Sequence, residues 1–165
     1  MGTWMNSDGL FVKLGVDEGT VGKAGEFAEG SAGAHVIEIN LPDLTALGTA
    51  AAIFDDNCIV PSGYRLIRAQ LITKTAVTSG GSAVLNVGLI RRDRTTEIDY
   101  DGIFAAVPIA NFNAAGETVD LTQGVATAGA LFGTELANSG YLTADYDTAA
   151  FTAGAIKIKV WFQKF

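Results

Sequence analysis

TAVTSGGSAVLNVGL, residues 75–89, separates two kinds of protein. Glycines between a strand and a helix would aim backbone N–H groups at a phosphate. The residues after the glycines, AVLNVGLI, instead alternate with period two, which is strand periodicity. No Lys-Ser or Lys-Thr pair follows Gly81, so the phosphate-loop pattern fails. The stretch reads as a hairpin, two strands joined tightly by TSGGS, with Ala83, Leu85, Val87 and Leu89 turned inward.

The same alternation recurs on both sides of it. LFVKLGV places Leu10, Val12, Leu14 and Val16 on one face, and HVIEINL does so with Ile37, Ile39 and Leu41. RLIRAQLIT buries Ile67, Ala69 and Leu71 and leaves Arg68 and Gln70 outward. AIKIKVWF buries Ile156, Ile158, Val160 and Phe162, with Lys157, Lys159 and Trp161 outward. Strands with one wet face belong to antiparallel sheets. Shorter strands are expected at 51–54, 58–60, 117–121 and 141–146. Helix is scarce: DGIFAAVPIA, residues 101–110, reads as about two turns capped by Asp101 and limited by Pro108. A second short turn is expected at ALFGTELA. Together these predict an all-β antiparallel sandwich or jelly roll with one or two short helices.

VDEGTVGKAGEFAEGSAGA, residues 16–34, has five glycines and no strand pattern, as in an arm that orders against something else. The organisation expected is a single folded domain. Residues 1–33 form an N-terminal arm, first strand and Gly-rich loop, and residues 34–165 form the sandwich. LITKTAVTSGGSAVLNVGLI and YLTADYDTAAFTAGAIKIKVWF echo one another, through two equivalent hairpins or through shared turn chemistry.

Composition narrows the function. A mean hydropathy of +0.29 and 48% hydrophobic residues exclude a disordered chain. No segment has the roughly 20 apolar residues of a spanning helix. MGTWMNSDGLF lacks a basic flank and apolar run, so no secretory signal is read and synthesis is expected in the cytoplasm. The single cysteine, Cys58, excludes an internal disulfide and sits among acids that disfavour a thiolate. A net charge of −7 argues against direct nucleic-acid binding. The charge is segregated: residues 63–96 hold six bases and one acid, whereas residues 97–147 hold eight acids and no base. That basic band is either a contact surface for an acidic partner or is neutralised within the fold.

Catalytic patterns fail one by one. The only histidine, His35, stands at a strand start with no Gly-x-Ser-x-Gly elbow, so no triad is built. One imidazole is too few for a cupin-type metal centre. EIDYDG, residues 97–102, begins like a calcium loop but places Pro108 where the bidentate Glu belongs, leaving only a looser calcium site near Glu97–Asp101 open. RRDR, with Arg91, Arg92 and Arg94, could pair with those acids or reach a neighbouring subunit. Trp4 and Trp161 are indoles outside the core pattern, which mark contacts, while Trp161 could also stack on a sugar or lie beneath the arm.

WMNSDGLFVKLG, TAVTSGGSAVLNVGLI, EIDYDGIFAAV and GALFGTELANSGYLTADYDTAAFTAGAIKIKV together resemble the tailed-bacteriophage capsid decoration, or cement, proteins, over most of residues 3–162. The resemblance implies a β-sandwich or jelly-roll subunit of the virion, often a homotrimer. Such a subunit docks on the outer surface of the shell and staples subunits of the major capsid protein. It implies no enzymatic activity, cofactor or membrane. The contact residues expected for the capsid or a neighbouring subunit are Trp4, Leu10 and Phe11 in the arm, Arg91, Arg92 and Arg94 in the basic band, and Trp161. The rival expectation is a carbohydrate- or receptor-binding module of a phage tail or fibre.

Overall fold

Strand-forming alternation becomes two packed sheets in the computed structural model. It describes residues 34–53 and 58–164 throughout, together with the strand backbones of β1 (Trp4–Met5), β2 (Phe11–Val12) and β3 (Glu26–Glu29). The remaining strands are β4 (Ala34–Leu41), β5 (Ala52–Ile53), β6 (Ile59–Val60), β7 (Tyr64–Ser79), β8 (Val84–Arg91), β9 (Glu97–Pro108), β10 (Thr118–Leu121), β11 (Gly140–Asp147) and β12 (Phe151–Lys164). One sheet has the order β10-β7-β12-β4-β3 and the other β5-β11-β8-β9, with β6 also on β11, and all pairs are antiparallel.

The connections β4 to β5, β7 to β8, β9 to β10 and β11 to β12 each pass from one sheet to the other. The strands so joined occupy matching places in the two orders, which is jelly-roll topology. The expected hairpin at TSGGS is therefore a corner: β7 pairs with β12 and β10, never with β8. The two echoing segments are the neighbouring corners of this roll. They touch where the Gly80 N–H donates to the Ala150 carbonyl at 3.3 Å.

The core lies between the sheets. Leu85, Val87 and Leu89 of β8 and Leu142 and Ala144 of β11 face Ile156, Ile158, Val160 and Phe162 of β12, all buried as the alternation requires. β7 departs from the expected phase. Its register on β12 jumps between Arg68 and Leu66, so Ile67 is an extra, half-buried residue and Leu66 takes the core place beside Ala69 and Leu71. Part of the glycine-rich stretch is also strand, since Glu26–Glu29 pairs with β4 on the sheet edge.

The segment read as a helix over 101–110 is mostly strand β9, followed by a single 3-10 turn at Ile109–Asn111. Asp101 therefore caps no helix. Propensity there is overridden by pairing: Phe104 and Val107 sit opposite Val87 and Leu85 and are fully buried. The ALFGTELA region turns at 130–133 without helix and seals one side of the sandwich. Its Leu131 N–H donates to Gly102 of β9 at 3.0 Å, and its Gly133 and Leu136 N–H groups donate to Leu66 and Tyr64 of β7 at 3.0 and 2.8 Å.

Thr148, in the β11–β12 corner, holds φ at 73°, a left-handed conformation costly for a β-branched residue. Thr148→Gly is expected to raise stability by about 1 kcal/mol, or roughly 2–4 °C in Tm, in a thermal melt followed by circular dichroism.

Candidate functional site

Two features stand out in the β5-β11-β8-β9 sheet. The first is the β8–β9 turn. The Arg91 N–H donates to Thr96 at 2.8 Å and the Arg94 N–H donates back to Arg91 at 2.9 Å, closing a tight turn. Asp93 fastens it: its carboxylate accepts from the Thr95 and Thr96 N–H groups at 2.9 and 2.8 Å and from the Thr96 hydroxyl at 2.7 Å. Those donors, the Thr95 N–H foremost, hold Asp93 down at a pKa of about 2. Arg94, at φ 62°, lays its guanidinium 5.3 Å from the Tyr141 ring centre, within cation–π range. Arg91 and Arg92 are exposed and form no ion pair among the described residues. With Asp93, Asn138 and Ser139 they line a shallow notch of about 300 Å³.

The second feature escaped sequence reading. On the outward rows of β8 and β11, Asn86 stands opposite Asp145, Gly88 opposite Thr143 and Ile90 opposite Tyr141. All six are buried, so this sheet is covered on both faces rather than wet on one. The cover is β9 itself, whose register jumps from Phe104 at Val87 to Asp99 at Leu89. The intervening backbone crosses over Gly88, where an added Cβ would lie 2.0 Å from the Asp99 carbonyl oxygen. Beside that crossing the Asn86 amide donates to Asp145 at 2.7 Å and to Asp147 at 2.8 Å, and its carbonyl accepts from the Ala106 N–H at 2.9 Å. The available signal was an Asn within an apolar strand and two acids spaced by two in ADYD.

Burial and the neighbouring Asp101 push Asp99 up to a pKa of about 6, and burial with nearby Asp147 and Asp101 also raises Asp145. A carboxyl whose folded pKa exceeds its unfolded one binds its proton more tightly in the native state. The native state therefore gains stability as pH falls through about 6. Glu38, Asp93 and Asp120 are shifted down, so their contributions are lost only at more acid pH. Tm is expected to rise from about pH 8 to about pH 5, and Asp99→Asn is expected to flatten that rise. A wild-type Tm constant over this interval would contradict the assignment. No group of three or more His, Cys, Asp or Glu that could hold a metal ion occurs among the described residues, Glu97–Asp101 included.

The opposite sheet neutralises part of the charge within the fold. Glu38 pairs with Lys157 and, at 3.1 Å, with Lys159, while Arg68 Nη2 lies 2.5 Å from Asp120. Arg68 also lies 4.8 Å from the ring centre of the half-buried Trp161. His35 is buried, stacked on Phe162 at 5.4 Å and edge-on to Tyr64 at 5.0 Å, as a core histidine. Cys58 is buried and forms no disulfide. Trp4 and Phe11 fall on β1 and β2, which pair with each other, and Leu10 lies outside the described residues. Thus Arg91, Arg92 and Arg94 are brought together, whereas Trp161 lies on the other sheet. No described helix is long and apolar enough to cross a membrane.

No protein-family profile and no curated protein matches the sequence. Solved structures do. A chain in the capsid of Ralstonia phage GP4 superposes with a TM-score of 0.54 at 15% identity, covering 93% of this chain and 91% of that one. A chain in the Cyanophage Pam1 capsid asymmetric unit gives 0.52 at 18% identity, covering 92% of each. A chain in the acidic stable capsid structure of Helicobacter pylori bacteriophage KHP30 gives 0.50 at 9% identity, covering 79% and 86%. At these identities the likeness is one of fold, and it runs nearly end to end between chains of similar length.

Proposed function

We propose that this chain is a bacteriophage virion structural protein that decorates the outside of the assembled head and cements neighbouring coat subunits. The observation that carries the reading is the near end-to-end jelly-roll likeness to single chains of phage capsids. A cement protein needs flat β surfaces, self-association and a segment that reaches a neighbour, and it needs no catalytic pocket. In this reading residues 1–33 are the reaching arm, residues 34–165 are the folded body, and the subunits close into a homotrimer. Trp4, Leu10 and Phe11 anchor on the major capsid protein or a neighbouring subunit. Arg91, Arg92, Arg94 and Trp161 provide further contact. The carbohydrate-binding rival needs an open indole platform, and Arg68 over the Trp161 ring speaks against it.

The test is co-sedimentation of the purified chain with shells lacking it. Binding that is lost on deleting residues 1–9 is the expected result. Shell binding unchanged by that deletion would remove the arm from the account, and no binding by the intact chain would remove the cementing role.

A further inference from the structure

The arginine notch presents two exposed guanidinium groups, those of Arg91 and Arg92. Its only carboxylate, Asp93, is spent on Thr95 and Thr96, and Arg91 and Arg92 have no acidic partner among the described residues. The wall is also fixed, because the Ser62 N–H donates to Ser139 Oγ at 2.9 Å. Net charge of −7 makes a polyphosphate partner unfavourable, whereas another copy of this chain arrives rich in carboxylates. The same sheet supplies them on β9 and β11. Arg91 pairs with Gly140 and Val84 with Asp147, which sets the two ends roughly 23 Å apart at about 3.3 Å per residue. Asp147, which accepts from Asn86, stands at the end far from Arg91, Asp101 lies nearer the middle of the sheet between the β9 residues paired with Leu89 and Val87, and both are exposed.

We infer that the Arg91–Arg92 notch of one copy receives the Asp101 and Asp147 rim of a second copy. The two patches differ, so the contact is head-to-tail, the kind that closes into a ring when the rotation permits. Guanidinium–carboxylate pairs there set register and speed encounter, while the bulk of the buried area comes from elsewhere. The inference rests on the reading of the chain as a self-associating capsid component.

Light scattering and sedimentation of the full chain test it, from about 0.05 to about 0.5 M NaCl. The wild type is expected to self-associate, with affinity falling about tenfold or more across that range. Arg91→Glu with Arg92→Glu, and separately Asp101→Lys with Asp147→Lys, should each weaken self-association by about tenfold or more. An equal mixture of the two variants should regain a mixed complex. If the second variant fails to fold, the first decides alone: it keeps the acidic rim, so it should cap wild-type assemblies while not joining itself. A wild type monomeric at about 100 µM, or one whose association ignores salt and the arginine changes, overturns the inference. A monomer that still binds shells sinks this contact alone, whereas self-association intact without shell binding sinks the cementing role alone.

Discussion

Gly88→Ala is expected to be among the most damaging single methyl additions at the described glycines. The new Cβ would lie 2.0 Å from the Asp99 carbonyl oxygen and 2.3 Å from the Tyr100 carbonyl carbon. Both obstacles are backbone, so no side-chain rotation relieves the clash. β8 is the strand between β11 and β9, so shifting it disturbs the Leu85, Val87 and Leu89 layer as well. Overpacking in a well-filled core costs about 1–3 kcal/mol, and an unyielding backbone contact puts this case at or above the upper end. A fall in Tm of about 10 °C, or loss of soluble protein, should follow. Gly81→Ala is the control, since its Cβ would meet only the Ala149 methyl at 3.3 Å.

Asn86→Asp comes second, and its effect should depend on pH. The native amide, itself buried, donates to the buried Asp145 and to the exposed Asp147 and accepts one backbone N–H from Ala106. Replacing it with a carboxylate removes both donors and sets three acids together. Breaking such a network costs about 3 kcal/mol or more at neutral pH. Protonation restores a donor and relieves repulsion, so much of the loss should return near about pH 5. Asn86→Leu removes the donors without adding charge and should lose less at about pH 8 than Asn86→Asp. Denaturant melts at the two pH values check both expectations, and an Asn86→Asp deficit independent of pH would contradict the network.

Much of this architecture is legible because period-two alternation is a direct imprint of burial. Ile156, Ile158, Val160 and Phe162 could be assigned to the core from AIKIKVWF alone, and all are buried. What alternation cannot report is which strand lies beside which. TSGGS looks the same as a hairpin and as a corner between sheets, and only the long-range pairing of β7 with β12 distinguishes them. DGIFAAV carries helix-compatible residues, yet partners on β8 draw Phe104 and Val107 into strand. The polar centre at Asn86 needed the fold, because its two acids lie 59 and 61 residues away in sequence. The arginine cluster was visible as RRDR, but that Asp93 is consumed by Thr95 and Thr96 was not.

The most direct test of the central claim is cryo-electron microscopy of the virion that carries this chain. The account predicts jelly-roll density matching residues 34–164 on the outside of the head, repeated at symmetry-related positions and bridging adjacent coat subunits. Density for this chain on the tail alone, with none on the head, would contradict it.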